Sequence, residues 1–175
     1  MPDRRHLWRG IHDPEMVRSG VVVSVTTERP HYRPGEELRA SIALTNSGVG
    51  HQFPTYVTPR VVVRAGLVDA LGREIAASAE ERVIAREVSL DLSREVFDTR
   101  IPPGGRFSLD YRRRLDGTGR RLRVVVTVYP DHFYTRLIES LLARGAGRGA
   151  REIREALDAT RRSAFELYRH EIPLT

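Results

Sequence analysis

The sequence predicts a mainly β protein, an immunoglobulin-like antiparallel β-sandwich with a C-terminal helical tail. Three observations predict it. Runs of alternating apolar and polar residues recur along the first three quarters of the chain, as half-buried antiparallel strands require. Gly- and Pro-rich turns separate these runs at short intervals, with no intervening helical pattern. Beyond Phe133 the apolar spacing changes to that of helix.

In chain order, residues 1–19 read as a polar N-terminal arm, 20–133 as the sandwich and 134–175 as the helical segment. In the arm, Asp13-Pro14-Glu15 is a helix start, with Asp as N-cap and Pro at the first helical position; Gly20 ends that helix within a turn or two. Val21 to Glu28 is β-rich, with Val21, Val23 and Val25 on one face. Arg33-Pro34-Gly35-Glu36 is a tight turn. Leu38 to Thr45 alternates, placing Leu38, Ala40, Ile42 and Leu44 inward. Pro59 to Val68 is a third strand, ended by Asp69-Ala-Leu-Gly72. A further strand pair is expected around Glu74 to Leu92, although its Ala and Glu content would also suit helix. After the break at Pro102-Pro-Gly-Gly105, Phe107, Leu109 and Tyr111 share one face of the next strand. Asp116-Gly-Thr-Gly119 turns the chain into the last expected strand, carrying Leu122, Val124, Val126 and Val128. This makes about seven strands. In the tail, Tyr134 to Ala143 reads as helix, Arg144 to Gly149 as a Gly-rich break, and 150–169 as a second helix with Ile153, Leu157, Ala164, Leu167 and Tyr168 on one stripe.

Composition narrows the function. The 29 basic residues are all Arg, and with 23 acids they leave a net charge of +6. The arginines are spread along the chain and interleaved with acids, without a basic stripe carrying aromatic residues, so a solvated surface is expected and nucleic-acid binding is not. With no cysteine, disulfides, thiolate metal sites, Cys nucleophiles and Cys-x-x-Cys-His haem attachment are excluded within this chain. Ser19, Ser24, Ser47 and Ser89 lack a nucleophile-elbow sequence, and Glu80 with Glu81 lie in a charged, solvated run. Arg4, Arg5, His6, Arg9 and His12 make the start of the chain neither a signal peptide nor a membrane span.

The stretch between the second and third expected strands, Asn46 to Arg60 (NSGVGHQFPTYVTPR), is too long and too apolar for a simple turn. Gly48 and Gly50 supply backbone freedom, Pro54 and Pro59 stiffen it, and His51 and Phe53 stand between them. The pattern Asn-x-Gly-x-Gly-His-x-Phe-Pro-Thr, followed by Pro-Arg-Val-Val-Val, resembles a signature of the C-terminal β-sandwich domain of multihaem c-type cytochromes; Tyr56 stands where that pattern often has Gly. His6-Leu-Trp-Arg-Gly-Ile-His12-Asp-Pro-Glu-Met likewise resembles the lead-in between the last haem segment and that domain.

The resemblance implies haem c carried by a partner or by a missing segment, a multihaem cytochrome region or subunit as partner, and a periplasmic or other extracytoplasmic location after loss of a leader. A leaderless cytoplasmic chain is the alternative. It also implies His6 and His12 as candidate distal axial ligands, with His12 as the metal-binding residue through haem iron. The competing reading pairs His12 with Asp13 or Glu15 and leaves His6 solvated. For His51 the expectation is a buried imidazole that bridges backbone carbonyls and locks the loop. Phe53 and Pro54 are expected to plug one end of the sandwich, joined there by His132 and the rings of Tyr129 and Phe133. His31 and His170 read as surface residues. The function expected is a non-catalytic module of a multihaem cytochrome electron-transfer system, docked on its haem-bearing part. The alternative is an immunoglobulin-like module that binds protein or glycan at the His51 end.

Overall fold

A computed structural model describes residues 10–145 and 147–174. The order is α1 (Pro14–Gly20), β1 (Val21–Thr27), β2 (Glu37–Asn46), β3 (Arg60–Val68), β4 (Glu80–Ile84), β5 (Arg86–Val88), β6 (Glu95–Asp98), β7 (Arg106–Arg114), β8 (Arg121–Tyr129), α2 (His132–Ala143), α3 (Ala150–Arg162) and β9 (Phe165–Pro173). One sheet has the order β1-β2-β7 and a second the order β4-β3-β8-β9, while β5 and β6 form a separate two-stranded ribbon. All pairings are antiparallel. Strands β1, β2 and β7 make one sheet and β4, β3, β8 and β9 the other, with the β5–β6 ribbon falling between β4 and β7 in chain order.

Alternation explains the layering. Leu38, Ala40, Ile42 and Leu44 of β2 and Leu109 and Tyr111 of β7 are buried, as are Val61, Val63 and Ala65 of β3 and Leu122, Val124, Val126 and Val128 of β8. Together they form one core between the two sheets. The Tyr111 hydroxyl crosses that core to donate to Ser78 O at 2.9 Å, so the one polar atom of a fully buried ring is satisfied.

The strands expected in the 74–92 segment form as β4 and β5, but not as a pair: β4 joins β3, and β5 finds its partner in β6, a strand not expected. The tail changes more. The 150–169 helix ends at Arg162, where Ser163 Oγ donates to Thr160 O at 2.7 Å. Leu167 and Tyr168 then belong to β9, which pairs with the whole length of β8. Their fit to a helical stripe is accidental. As an edge strand with a bulge, β9 has only one well-buried side and carries Arg169 and Glu171 among its polar residues, so its alternation is blurred. The tail therefore returns to the sandwich after an α-hairpin, in which Thr135 meets Thr160 at 3.0 Å and Arg161 meets Glu139 at 2.8 Å.

In the arm Asp13 caps α1 as expected, its carboxylate accepting from the Glu15 and Met16 amides. The helix is held by the chain's own sandwich: Val17 is buried, Ile11 packs on the core, and Arg18 donates to Glu166 O at 2.9 Å and Leu167 O at 3.3 Å in β9. His6, Leu7 and Trp8 lie outside the described residues.

Candidate functional site

Asn46, the last residue of β2, builds the long loop. Its side chain is fully buried. The amide nitrogen donates to His51 O at 2.8 Å and Ile101 O at 3.1 Å, while the side-chain oxygen accepts from Val49 N at 3.1 Å. Its backbone pairs with the next connection too, through Asn46 N to Gly105 O and Gly104 N to Asn46 O. One residue thus ties the loop to the 101–105 turn. Asn can do this because it offers donors and an acceptor on one short side chain.

The rest of the loop follows from that anchor. Ser47 N and Gly48 N both donate to Gly20 O at the end of α1. A Cβ on Gly48 would stand 2.9 Å from Ser19 O, so glycine is required for this approach. Farther on, Phe53 is buried and exchanges two backbone hydrogen bonds with Ile101, each at 2.8 Å. The Phe53–Pro54 peptide is cis, Pro54 is buried, and Arg100 Nη1 donates to Thr55 O at 2.8 Å. Phe53 and Pro54 are thus both buried beside the 100–101 segment.

His51 does not lie where the sequence reading put it. The residue is exposed, not buried, because the loop turns its ring outward while Asn46 holds the backbone. The carbonyl contact expected of it is present: Nδ1 lies 3.0 Å from Gln52 O and 3.1 Å from Thr55 Oγ1. A carbonyl oxygen only accepts, so the Gln52 contact has Nδ1 as its donor, while Nε2 has no partner among the described residues. Beside it is a recess of about 150 Å³ walled by Gly10, Ile11, Met16, Val17, Val49 and Phe53.

The other histidines are placed differently. His12 is exposed, and its Nε2 meets Asp131 Oδ2 at 3.0 Å, not Asp13 or Glu15 as its competing reading had it. Ligation of a metal through that nitrogen would require breaking this contact. His132 begins α2 and joins a different group: its Nε2 lies 3.7 Å from Glu87, whose largely buried carboxylate also contacts Arg136 and, at 3.5 Å, Arg60. Burial, with Arg60 adding to it, pushes the His132 imidazole down to about 4. Glu87 does not reverse this, since two arginines already share its charge. Phe133 is buried and packs edge-on against Tyr134, while Tyr129 is 39% exposed at the surface. Among the described residues no three His, Cys, Asp or Glu side chains gather as a metal site.

A similar fold occurs within a solved haem protein. A penta-haem cytochrome c552 from Thermochromatium tepidum superposes on 95% of this chain with a TM-score of 0.64 at 14% identity. The match takes up 42% of that cytochrome, so this chain spans less than half of its length. At this identity the likeness establishes the fold alone. An alkylpurine DNA glycosylase from Pseudomonas fluorescens also aligns, over 89% of this chain and 30% of its own at 13% identity, but a TM-score of 0.36 carries no argument. No protein-family model matches the chain, and no curated protein matches it.

Asn46 is the loop-organising residue that sequence reasoning passed over. It heads the quoted signature, yet a strand-end Asn looks like ordinary turn chemistry until its three partners are seen. The recess beside His51 had no sequence signal, because residues from the arm, α1 and the loop meet there only on folding.

Proposed function

We propose that this chain is a non-catalytic β-sandwich module of a multihaem c-type cytochrome system, packing on the haem-bearing part of an electron-transfer assembly. The observation that carries this reading is the superposition of nearly the whole chain on less than half of a penta-haem cytochrome. With no cysteine, the chain has no thiol to hold haem c through thioether bonds, so the haems of such an assembly belong to other polypeptide. The chain's own contribution is a rigid scaffold and, at most, an axial imidazole. Among the described residues no helix is long and apolar enough to cross a membrane, and the assembly is read as extracytoplasmic.

The test is to isolate the tagged chain from its own cells. The chain itself should be colourless and negative for haem after denaturation, and it should co-purify in stoichiometric amount with a haem-positive polypeptide bearing repeated Cys-x-x-Cys-His. Isolation without any haem-bearing companion overturns the reading, as does a haem stain on the chain itself.

A further inference from the structure

We infer that α2 is a self-association surface, whose outer seam of Tyr134, Leu137, Ile138 and Leu141 packs antiparallel on the same seam of a second copy of this chain. The inference goes beyond the cytochrome reading and does not depend on it.

The α-hairpin leaves that seam open. Thr135 and Glu139, four residues apart, share one side of α2, and Thr160 and Arg161 of α3 occupy that side. Arg136 turns instead to Glu87 of the sandwich, and Phe133 is buried at the base of the helix. Tyr134 and Leu141 face neither neighbour. They are 47% and 43% exposed, with Leu137 and Ile138 half-buried between them. Apolar residues at this spacing make a narrow coiled-coil seam, and such a seam is completed by another helix. No charged residue interrupts it, so closing it buries no unpaired ion.

The order of residues along α2 names the occupant. From Asp131 to Arg144 the chain is complementary to its own reverse about the midpoint between Leu137 and Ile138. A two-fold axis at that midpoint sets Tyr134 against Leu141, Leu137 against Ile138, and Asp131 against Arg144 of the other copy, each contact made twice. Arg136 and Glu139 are related by the same axis. Charges match in this direction alone, because a parallel pair would oppose Asp131 to Asp131 and Arg144 to Arg144. Arg144 makes no ion pair among the described residues, and Asp131 meets His12 through Oδ2 only. A seam of two helical turns buries less than the roughly 800 Å² per partner of a standard interface. The pair is therefore a reversible, micromolar dimer.

The test is sedimentation velocity on the purified full chain over about a hundredfold range of concentration. The average mass should rise from monomer to dimer. Leu141→Glu and Tyr134→Glu should each stay monomeric throughout, with the melting curve of the dilute wild type, since both positions are open to solvent in the single chain. The chain has no cysteine, so direction can be read by cross-linking. Tyr134→Cys mixed with Leu141→Cys should join through a disulfide on mild oxidation. Neither should join to itself, because the two copies of each position lie about 10 Å apart along the seam. A monomer at every concentration overturns the inference. So does a dimer that survives both glutamate variants, or a disulfide formed by Tyr134→Cys alone. If the wild type stays monomeric and Leu141→Glu loses a haem-bearing companion on isolation from its cells, the seam belongs to that companion and the second copy is wrong.

Discussion

Replacing Asn46 by Ala should unfold the chain at a markedly lower temperature, although Asn46 touches no substrate and lies at a strand end. Three side-chain hydrogen bonds vanish with it. Ile101 O keeps a second donor, Phe53 N, at 2.8 Å. Val49 N and His51 O have Asn46 as their partner and would be left to whatever water reaches them. An unsatisfied buried polar group costs about 1–3 kcal/mol, and part of the loop is open to solvent, so the two together should cost about 2–4 kcal/mol. For a chain of this size that is a fall of roughly 5–12 °C in Tm, read by circular dichroism and confirmed by urea unfolding. Asn46→Asp sharpens the test. Its carboxylate still accepts from Val49 N but turns oxygen toward His51 O and Ile101 O, and burial with these two carbonyls should raise its pKa in the folded state. The folded state then holds a proton that the unfolded state has released, so stability should fall as pH rises above about 4 and level off past the folded pKa. A loss under about 1 kcal/mol for Asn46→Ala, or a flat pH response for Asn46→Asp, would refute the role given to this residue.

Two glycines of the same loop should behave oppositely. Gly48→Ala places a Cβ 2.9 Å from Ser19 O and 3.2 Å from Gly20 Cα, and should cost about 1–3 kcal/mol; Gly50→Ala meets nothing within 4 Å and should be neutral or stabilise by up to about 1 kcal/mol. Thermal melts of the pair check this. Leu174, just after β9, is 1% exposed, so Leu174→Ala should cost about 2–5 kcal/mol in urea unfolding; a loss under 1 kcal/mol would mean that the end of the chain is not part of the core. His132 is lowered from 6.5 to about 4 in the fold. The unfolded state therefore takes up the proton first, and stability present above pH 6.5 should drain away as pH falls toward 4, by on the order of 3 kcal/mol. His132→Leu should flatten the stability profile in that window, while the carboxylates of Glu74, Asp98 and Glu171 are all held below their usual values by arginine partners.

The sandwich was legible in the sequence because a strand's faces are set by local alternation. Leu38 to Leu44 and Leu122 to Val128 show a period of two, and a core of apolar side chains needs no more specific instruction than that. The Asp13 cap and the Gly-rich break between the tail helices were legible for the same reason, since caps and turns depend on near neighbours. Chemistry excluded by the missing cysteine was also settled by the sequence alone. The candidate site was legible only as a stretch of chain. That His51 faces outward, with Nδ1 held and Nε2 open, depends on Asn46 reaching Ile101, 55 residues away. That His12 meets Asp131 depends on a contact across 119 residues. The fate of β9 is of the same kind: a bulged edge strand with charged residues has too weak a period to declare itself, and only the open edge of β8 decided what Phe165 to Pro173 became. Local periodicity fixes which face of an element is apolar; which distant element covers that face, and which polar atoms are left over, is decided by tertiary packing.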